Sequence, residues 1–554
     1  LENYLNTIYY GRGAYGIESA ANTYFNVPAA QLTAQQGAVL AVLIRSPSRY
    51  DPEVSPEDAQ DRWGKVLDAM VDEGWLTAAD RTASAYPPVA PKAAGSLGIP
   101  SGPEGLIVQR AIDELAGPKH GYDEQQIRAG GLRITTTVDK AAQDAAVASV
   151  NEVMEGEDVE VLRQALVAID PRTGAVRAYY GGKSGTDFDY AQAQRQPGSS
   201  MKPYVLATAL EQGISVTARR DGSSPQTFPD REAPVVNSGG ASCANCTLVE
   251  AMTRSLNTTF YGLAYEVGPP NVRETALNAT GLPEVWETGA LGERNQPTLA
   301  NAEGFTGSAI GIGEYEMRPI DQAVGFATFA NGGIQRDPYL VAKVTDSAGA
   351  VLLETQPDPG EQVMAADIAS DVTFALKGVA QFSKRGLEDG REVASKTGTQ
   401  GLDRQNNSDA WMVGYTPSLS TAVWMGTDAR LPIVNAAGGI IFGSGLPGAI
   451  WQRFMNAVLA GTPKEDLPDK ASFQGDSGEG VPEPTTEAPP PTSPAPAPST
   501  ATVPTQAPPT LTTPTTPPPP TNTATPTATA TASGTVVQPP GNPGGGPPGG
   551  GGGG

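Results

Sequence analysis

Histidine is almost missing from this chain of 554 residues, which has only His120. One histidine excludes a His-rich metal site and argues against a Ser-His-Asp triad, in which histidine is the base. We therefore expect no metal centre, and no pattern in the sequence calls for a cofactor. A serine nucleophile in this chain would need a different base.

Cysteine is scarce as well, with Cys243 and Cys246 the only two. Their Cys-x-x-Cys spacing lacks the second pair that a structural zinc site requires. A thioredoxin-like redox role needs a strand-to-helix setting, which the surrounding NSGGASCANCTL does not have. We expect a small loop disulfide, formed in an oxidising compartment, and two unpaired thiols are the alternative.

Positive charge is in the minority, since 37 Lys and Arg face 60 Asp and Glu and the formal net charge is -23. This balance argues against nucleic acid and against an anionic membrane surface as partners. The sequence also has no apolar run long enough to span a bilayer. The longest is GAVLAVLI at 37–44, which has eight residues. The chain begins at Leu1 inside a helical pattern, so we expect that a preceding segment, with any membrane anchor, has been cut away.

The chain reads as four segments. Residues 1–90 have the apolar periodicity of helices, and 91–162 form a connector with a β-rich run at 132–138. Residues 163–463 are mixed α/β, with two hairpin signals. Residues 464–554 are rich in Pro, Thr and Gly and have too few apolar side chains to offset the entropy of folding, so we expect a disordered tail. Two roles for this tail remain as alternatives, a glycosylated spacer and an inert linker.

The first chemical motif is Ser199-Ser200-Met201-Lys202, in RQPGSSMKPYVLATALEQG. Pro203 suits the first turn of a helix, so Ser199 is predicted at a helix N-terminus, where free N–H groups favour negative charge. Lys202 lies one turn further on the same face. A desolvated lysine near other cations has a lowered pKa and can take the serine proton. Taken alone, the motif is a weak signal, and a solvated helix start is the better interpretation of it.

The second motif is Ser255-Leu256-Asn257, in VEAMTRSLNTTFYGLA. A hydroxyl and an amide that face a nucleophile can relay a proton to a leaving group and hold a substrate carbonyl. The same spacing at Ser149-Val150-Asn151 reads as ordinary helix, so this motif is weak by itself.

The third motif is Lys396-Thr397-Gly398-Thr399, which follows a predicted strand. Gly398 lets a substrate backbone approach the strand edge, and the lysine and two hydroxyls can bind a carboxylate. The backbone N–H of Thr399 can join that of Ser199 in an oxyanion hole.

The order of the three motifs is the signature of penicillin-binding proteins and serine β-lactamases. RQPGSSMKP, together with ATFANGG at 327–333 and GLPGAIW at 445–451, resembles the class A penicillin-binding proteins, the bifunctional peptidoglycan synthases, with an actinobacterial character. The resemblance implies an α+β serine transpeptidase fold for 163–463, with an antiparallel sheet and flanking helices.

The N-terminus independently resembles the same family. LENYLNTIYYGRGAYGIESAANTYF is similar to a late motif of the peptidoglycan glycosyltransferase domain, and AVLIRSPSRYDP to its final motif. Glu2 and Asn6 belong to the supporting motif, whereas the family's catalytic glutamates lie upstream of it. The resemblance thus implies an all-α C-terminal remnant in 1–90 that has lost its glycosyltransferase activity.

For the transpeptidase part, the resemblance implies that Ser199 attacks the penultimate D-Ala carbonyl of a stem peptide. Lys202 would be the base for acylation, and Ser255 would pass the proton to the leaving amine. Asn257 would position Lys202 and the substrate amide.

The implied partners follow from the same roles. Lys396, Thr397 and Thr399 would bind the terminal carboxylate of D-Ala-D-Ala stem peptides, and β-lactams would acylate Ser199. The resemblance also implies cell-wall synthesis machinery as a partner, a membrane anchor in the parent protein, and a place at the extracytoplasmic face of the membrane.

Two alternatives stay open. A D,D-carboxypeptidase or β-lactam hydrolase has the same motifs but resolves its acyl-enzyme with water, and only the glycosyltransferase remnant favours a synthase. A non-catalytic β-lactam sensor or cell-wall scaffold would keep a pocket that can be acylated, which the intact set of site residues argues against.

Overall fold

A computed structural model describes residues 1–47, 49–91, 99–288, 294–403 and 405–470. The predicted tail therefore lies outside the described residues from 471 onward. Among the helices of the described part, none is both long and apolar enough to cross a membrane.

The N-terminal segment consists of short helices and one small hairpin. Its elements are α1 (Glu2–Thr7), β1 (Tyr9–Gly11), β2 (Ala14–Tyr15), α2 (Ile17–Phe25), α3 (Ala34–Arg45), α4 (Pro56–Asp72) and α5 (Ala78–Ala83). Thr33 and Gln36 close a capping box at the start of α3, and Pro56 opens α4. Buried apolar residues of these helices, among them Leu43 and Trp63, give the segment its own small core.

The hairpin of β1 and β2 is absent from the sequence prediction, which expected helices alone. Gly11, Arg12 and Gly13 all have positive φ, at 96°, 52° and 76°. Consecutive left-handed residues reverse the chain within three positions, and two of the three are glycines, for which this conformation is free of steric cost. The reversal interrupts the helical pattern between α1 and α2.

The connector contributes α6 (Glu104–Ala116), α7 (Glu124–Ala129), β3 (Arg133–Thr136) and α8 (Lys140–Val153). The β-rich run predicted at 132–138 is β3. This strand pairs with a distant strand, Val341–Thr345, and α8 packs against the last helix of the fold, Leu446–Leu459. The connector is thus part of the structure that surrounds the central sheet.

The remaining elements build the mixed α/β part. Its strands are β4 (Arg163–Ile169), β5 (Val176–Tyr180), β6 (Arg219–Gly222), β7 (Gln226–Phe228), β8 (Arg231–Val235), β9 (Cys243–Thr247), β10 (Val285–Thr288), β11 (Arg294–Pro297), β12 (Ile334–Gln335), β13 (Val341–Thr345), β14 (Val351–Glu354), β15 (Glu361–Gln362), β16 (Ala394–Gly401), β17 (Asn407–Thr416) and β18 (Leu419–Gly426). Its helices are α9 (Lys202–Glu211), α10 (Leu248–Thr253), α11 (Asn257–Val267), α12 (Pro269–Thr280), α13 (Pro319–Ala330), α14 (Ala366–Leu376), α15 (Val379–Phe382) and α16 (Leu446–Leu459).

The central sheet has five strands in the order β16-β17-β18-β4-β5, and every neighbouring pair is antiparallel. The two hairpins predicted from the sequence are β4–β5 and β17–β18. Residues alternate between the faces of the sheet, so that Trp411 and Val413 of β17 point to one side and Met412 to the other. The predicted antiparallel sheet with flanking helices is confirmed.

Helices cover both faces of this sheet. On one face, α8 and α16 pack against residues such as Met412 and Val423. On the other, α13 packs against β4, β17 and β18. The helix α9 lies among α11, α12 and α14, and its residues from Lys202 to Leu210 are all buried. Of the residues of α9, only the last, Glu211, is exposed, so the helix is central to the fold. Ser199 therefore precedes a helix that is fixed on all sides.

Candidate active site

Ser199 lies in a 3-10 turn, Gly198–Met201, directly before α9. The turn is packed against the edge strand β16, because a Cβ on Gly198 would lie 2.5 Å from the carbonyl oxygen of Thr399. Gly198 has φ +54°, and its N–H donates to the carbonyl of Gly313 at 3.3 Å. A side chain at this glycine would separate the turn from the strand, so glycine is required here. Ser199 itself is half-buried and reachable from solvent.

Lys202 Nζ points into the second motif. It donates to the carbonyl oxygen of Ser255 and to Asn257 Oδ1, both at 2.8 Å, and lies 3.3 Å from Ser255 Oγ. Within the described residues, no hydrogen bond joins it to Ser199 Oγ. A neutral lysine amine has one lone pair, which can accept the proton of the Ser199 hydroxyl. In unliganded enzymes, the hydrogen bond between base and nucleophile often forms only when substrate binds.

Ser255 and Asn257 occupy the junction between α10 and α11. Ser255 has φ +56°, a left-handed conformation that costs a residue with a Cβ about 1 kcal/mol or more. Asn257 begins α11, and its Nδ2 donates to the carbonyl of Val236 at 3.0 Å. The amide is thus oriented with its oxygen toward Lys202. Strain at one residue of a site is typical of a functional constraint.

Lys396 and its neighbours lie on β16, at the edge of the sheet. Lys396 Nζ donates to Ser255 Oγ at 2.7 Å and to the carbonyl of Thr397 at 3.2 Å. Thr399 Oγ1 accepts from the N–H of Gly443 at 3.1 Å. Thr397 and Thr399 are half-buried, so this side of the edge strand is partly accessible to solvent.

The two lysines form a buried, electropositive pair. Both are fully buried, at 0% exposure. Burial lowers the pKa of Lys396 to about 7. Burial also lowers the pKa of Lys202 well below its usual value, and the positive charge of Lys396 lowers it further. The ring centroid of Phe260 lies 5.6 Å from Lys202 Nζ and offers a π face to that amine.

The structure therefore brings the three sequence motifs into one cluster around the hydroxyl of Ser255. The members of this cluster are Ser199, Lys202, Ser255, Asn257, Lys396, Thr397, Gly398 and Thr399. It contains a base with a lowered pKa, a hydroxyl within reach of two amines, and a strand edge open to a peptide. Such a set can transfer an acyl group through a serine.

The other candidate residues lie elsewhere. Glu2 and Asn6 are exposed residues of α1, whose contacts are with α2. Cys243 and Cys246 are joined by a disulfide at β9, the strand that leads into α10. Across the described ranges, no group of His, Cys, Asp and Glu is arranged to hold a metal ion.

Three backbone groups that the sequence did not point to complete the site. They are the carbonyl of Val236, the N–H of Gly443 and the carbonyl of Gly313. Each of these groups lies in a loop, far along the chain from its partner. Every residue type has the same backbone N–H and carbonyl, so no sequence motif identifies such a group.

Family profiles match both parts of the chain. Residues 164–429 match the profile described as the penicillin-binding protein transpeptidase domain, and residues 1–71 match the one described as transglycosylase. The chain is 42% identical over 499 residues to penicillin-binding protein 1A of Mycolicibacterium smegmatis, covering 89% of this chain and 62% of that protein. Penicillin-binding protein 1A of Mycobacterium tuberculosis is also 42% identical to this chain, over 501 residues that cover 88% of this chain and 60% of the relative. The chain thus spans about three fifths of these relatives.

Solved structures agree with the sequence matches. The PonA1 protein of Mycobacterium tuberculosis in complex with penicillin V matches with a TM-score of 0.63 and 40% identity, over 69% of this chain and 100% of that one. Penicillin-binding protein 1A of Haemophilus influenzae, at 19% identity, shares the fold with a TM-score of 0.65 over 84% of this chain and 86% of that one. The chain belongs to the class A penicillin-binding proteins, as the resemblance of its motifs predicted.

Proposed function

We propose that this chain is a peptidoglycan D,D-transpeptidase that cross-links stem peptides through an acyl-enzyme on Ser199. The observation that supports this most is the meeting of Lys202 and Lys396 at the hydroxyl of Ser255, beside the turn that carries Ser199. Two buried amines of lowered pKa around one hydroxyl can hold and move a proton near neutral pH, where an ordinary lysine stays protonated.

In the acylation step, Ser199 Oγ attacks the penultimate D-Ala carbonyl of a pentapeptide stem, and neutral Lys202 accepts the serine proton. The tetrahedral oxyanion lies between the backbone N–H groups of Ser199 and Thr399. When the peptide C–N bond breaks, Ser255 passes a proton to the nitrogen of the departing D-Ala. Asn257 keeps Lys202 in place through its Oδ1 and binds the amide of the stem.

The terminal carboxylate of the stem binds at β16. Thr397 and Thr399 provide two hydroxyls on the half-buried side of the strand, and Lys396, buried beside Ser255, provides the cation. In its protonated form, Lys396 also donates a hydrogen bond to Ser255 Oγ and so supports the proton transfer from that hydroxyl. Protonated Lys202 restores the proton of Ser255, whose Oγ lies 3.3 Å from its Nζ. An amine from a neighbouring stem then attacks the ester carbonyl and loses a proton to neutral Lys202, which passes it to Ser199 Oγ as the ester bond breaks.

A β-lactam resembles the D-Ala-D-Ala end and acylates Ser199 in the same way. The solved PonA1 structure of Mycobacterium tuberculosis is a complex with penicillin V, which supports this part of the proposal. The transglycosylase match favours a synthase over a carboxypeptidase or hydrolase. We place the activity at the extracytoplasmic face of the membrane, with the cell-wall synthesis machinery as partner.

The test is labelling of the purified chain with a fluorescent penicillin, beside Ser199→Ala. We expect a covalent label that survives denaturation and is missing from the variant. Incubation with a pentapeptide and an acceptor amine should release D-Ala and give a cross-linked product. Labelling without D-Ala release would indicate a sensor, release without cross-links a carboxypeptidase, and label on Ser199→Ala would exclude Ser199 as the nucleophile.

A further inference from the structure

The segment before the nucleophile is held by three hydrogen bonds from different parts of the fold. The carbonyl of Gln196 accepts from Trp411 Nε1 at 2.8 Å, and Gln196 Nε2 donates to the carbonyl of Glu314 at 2.8 Å. Gly198 N–H bonds the carbonyl of Gly313. Of these three, only the bond from Trp411 ties the segment to the central sheet.

Trp411 lies directly opposite Gly398 in the pairing of β16 with β17. A Cβ on Gly398 would be 2.9 Å from Trp411 Cβ and 2.3 Å from the carbonyl oxygen of Pro197. The Cβ of Trp411 and the backbone of Pro197 therefore both lie against Gly398, in the space that a side chain there would occupy. Trp411 thus touches both the strand of the third motif and the turn of the first.

The position of Trp411 is itself fixed. Its ring is fully buried and packs edge-on against Trp424, at 6.5 Å between centroids. Trp424 Nε1 donates to the buried carboxylate of Asp409 at 2.9 Å, and the guanidinium of Arg195 lies over the Trp424 ring at 5.1 Å. A side chain that is held this rigidly can fix the position of a neighbouring loop to which it is hydrogen-bonded.

We propose that Trp411 is a positioning residue that sets the separation between Ser199 and β16 through the carbonyl of Gln196. This inference rests on the proposed function, in which both sides of that separation contribute to the oxyanion hole. The path from Gln196 to Ser199 has two intervening residues. Pro197 has a fixed φ and restricts the residue before it, and Gly198 is held by its hydrogen bond to Gly313 and by its close packing against Thr399. A shift at Gln196 is therefore passed on to Ser199 and is not absorbed by the loop.

The effect is expected on the rate of acylation and not on the affinity for the β-lactam. Displacement of a reacting atom by about 1 Å can cost about a hundredfold in rate. Trp411 makes none of the contacts assigned to the substrate, so its loss leaves the carboxylate site on β16 in place.

The experiment compares Trp411→Phe with Trp451→Phe. Trp451 is a matched control, because it is also fully buried and its Nε1 donates to a backbone carbonyl, that of Thr421, at 3.2 Å on the opposite face of the sheet. Saturation kinetics of fluorescent penicillin give the acylation rate constant and the dissociation constant separately. Thermal unfolding of both variants measures the structural cost that they share.

We expect Trp411→Phe to lower the acylation rate constant at least about tenfold and to leave the dissociation constant within about twofold. Trp451→Phe should stay within about twofold of the wild type in both constants. Equal losses in both variants, or a wild-type acylation rate in Trp411→Phe, would overturn the proposal. If Trp411→Phe does not fold, β-(3-benzothienyl)-alanine at position 411 removes the N–H and keeps the ring shape, with the same expected outcome. A wild-type chain that is not labelled at all would instead refute the proposed function.

Discussion

Lys202 and Lys396 approach the same atom, the hydroxyl oxygen of Ser255, at 3.3 and 2.7 Å. Both amines are fully buried, so two positive charges at this spot repel each other in a medium that screens them poorly. The lowered pKa of Lys202 has the charge of Lys396 as one of its causes. The pair therefore favours one neutral and one protonated amine, which are the forms that a base and a proton supplier need.

The coupling can be tested with Lys396→Met. Without the positive charge of Lys396, the pKa of Lys202 should rise toward the ordinary lysine value. Because acylation needs neutral Lys202, the acidic limb of the pH profile of the acylation rate constant should move to higher pH. The variant Lys140→Met, at an exposed position, should leave that limb in place. A limb that stays put or moves to lower pH in Lys396→Met would contradict the coupling.

The burial of Lys396 should also appear in the stability of the protein. The pKa of Lys396 is about 7 in the folded state and near 10.5 when unperturbed. Between these pH values, Lys396 is protonated in the unfolded chain and neutral in the folded protein. Raising the pH through this window therefore increases the free energy of unfolding, by at most about 1.4 kcal/mol per pH unit from this group. Below pH 7 both states are protonated and the contribution is constant.

The stability prediction is measured as a difference between Lys396→Met and the wild type. Methionine cannot be protonated, so the variant should be more stable at pH 6 to 7, and its advantage should shrink as the pH rises to 9. Urea unfolding at four pH values, followed by tryptophan fluorescence, gives this difference. An advantage that is independent of pH would mean that Lys396 stays protonated in the folded state throughout.

Local sequence predicted the three motifs of the site because each is contiguous and carries its own chemistry. It also predicted the β17–β18 hairpin, because the turn residues Thr416-Pro417-Ser418 separate two strand-like runs. It did not predict that β18 pairs with β4, from which it is separated by about 250 residues, or that β3 pairs with β13. Such pairings depend on loop closure between distant segments, which no local pattern encodes.

The contacts of Lys202 illustrate the same limit at the level of side chains. The spacing of Ser199 and Lys202 predicted that they share one face of a helix, and this placement led us to pair them directly. In the structure Lys202 Nζ bonds Ser255 and Asn257, which the chain brings in through α10 and α11. Helical spacing fixes where a side chain starts, whereas tertiary partners decide where its charged end lies.

The strained conformation of Ser255 allows its chemistry to be separated from its structural role. Ser255→Ala and Ser255→Gly both remove the hydroxyl that the two lysines approach, so both should lower acylation by about a hundredfold or more. Only glycine adopts φ +56° without steric cost, so Ser255→Gly should be the more stable variant by about 1 kcal/mol. Acylation rates and urea unfolding measure the two effects. A wild-type acylation rate in either variant would show that the hydroxyl is not required, and unequal rates would show that the backbone conformation also contributes.

Gly398 provides the most direct test that the nucleophile turn must lie against β16. An alanine Cβ at this position would be 2.3 Å from the carbonyl oxygen of Pro197, 2.9 Å from Trp411 Cβ and 3.1 Å from Ser200 Oγ. The first of these atoms belongs to the backbone and the second to a fully buried side chain, so neither can move aside cheaply. Gly398→Ala should therefore push the turn away from the strand and lower acylation by about a hundredfold or more.

The control for that variant lies three residues further along the same strand. At Gly401 an alanine Cβ meets nothing closer than the carbonyl oxygen of Asp403, at 3.6 Å, which is ordinary contact. Gly401→Ala thus makes the same chemical change in the same strand and should keep the acylation rate within about twofold of the wild type. Circular dichroism and thermal unfolding establish that both variants are folded before their rates are compared. If Gly398→Ala acylates as fast as Gly401→Ala, the turn can move without displacing Ser199, and the separation from β16 is not what limits the reaction.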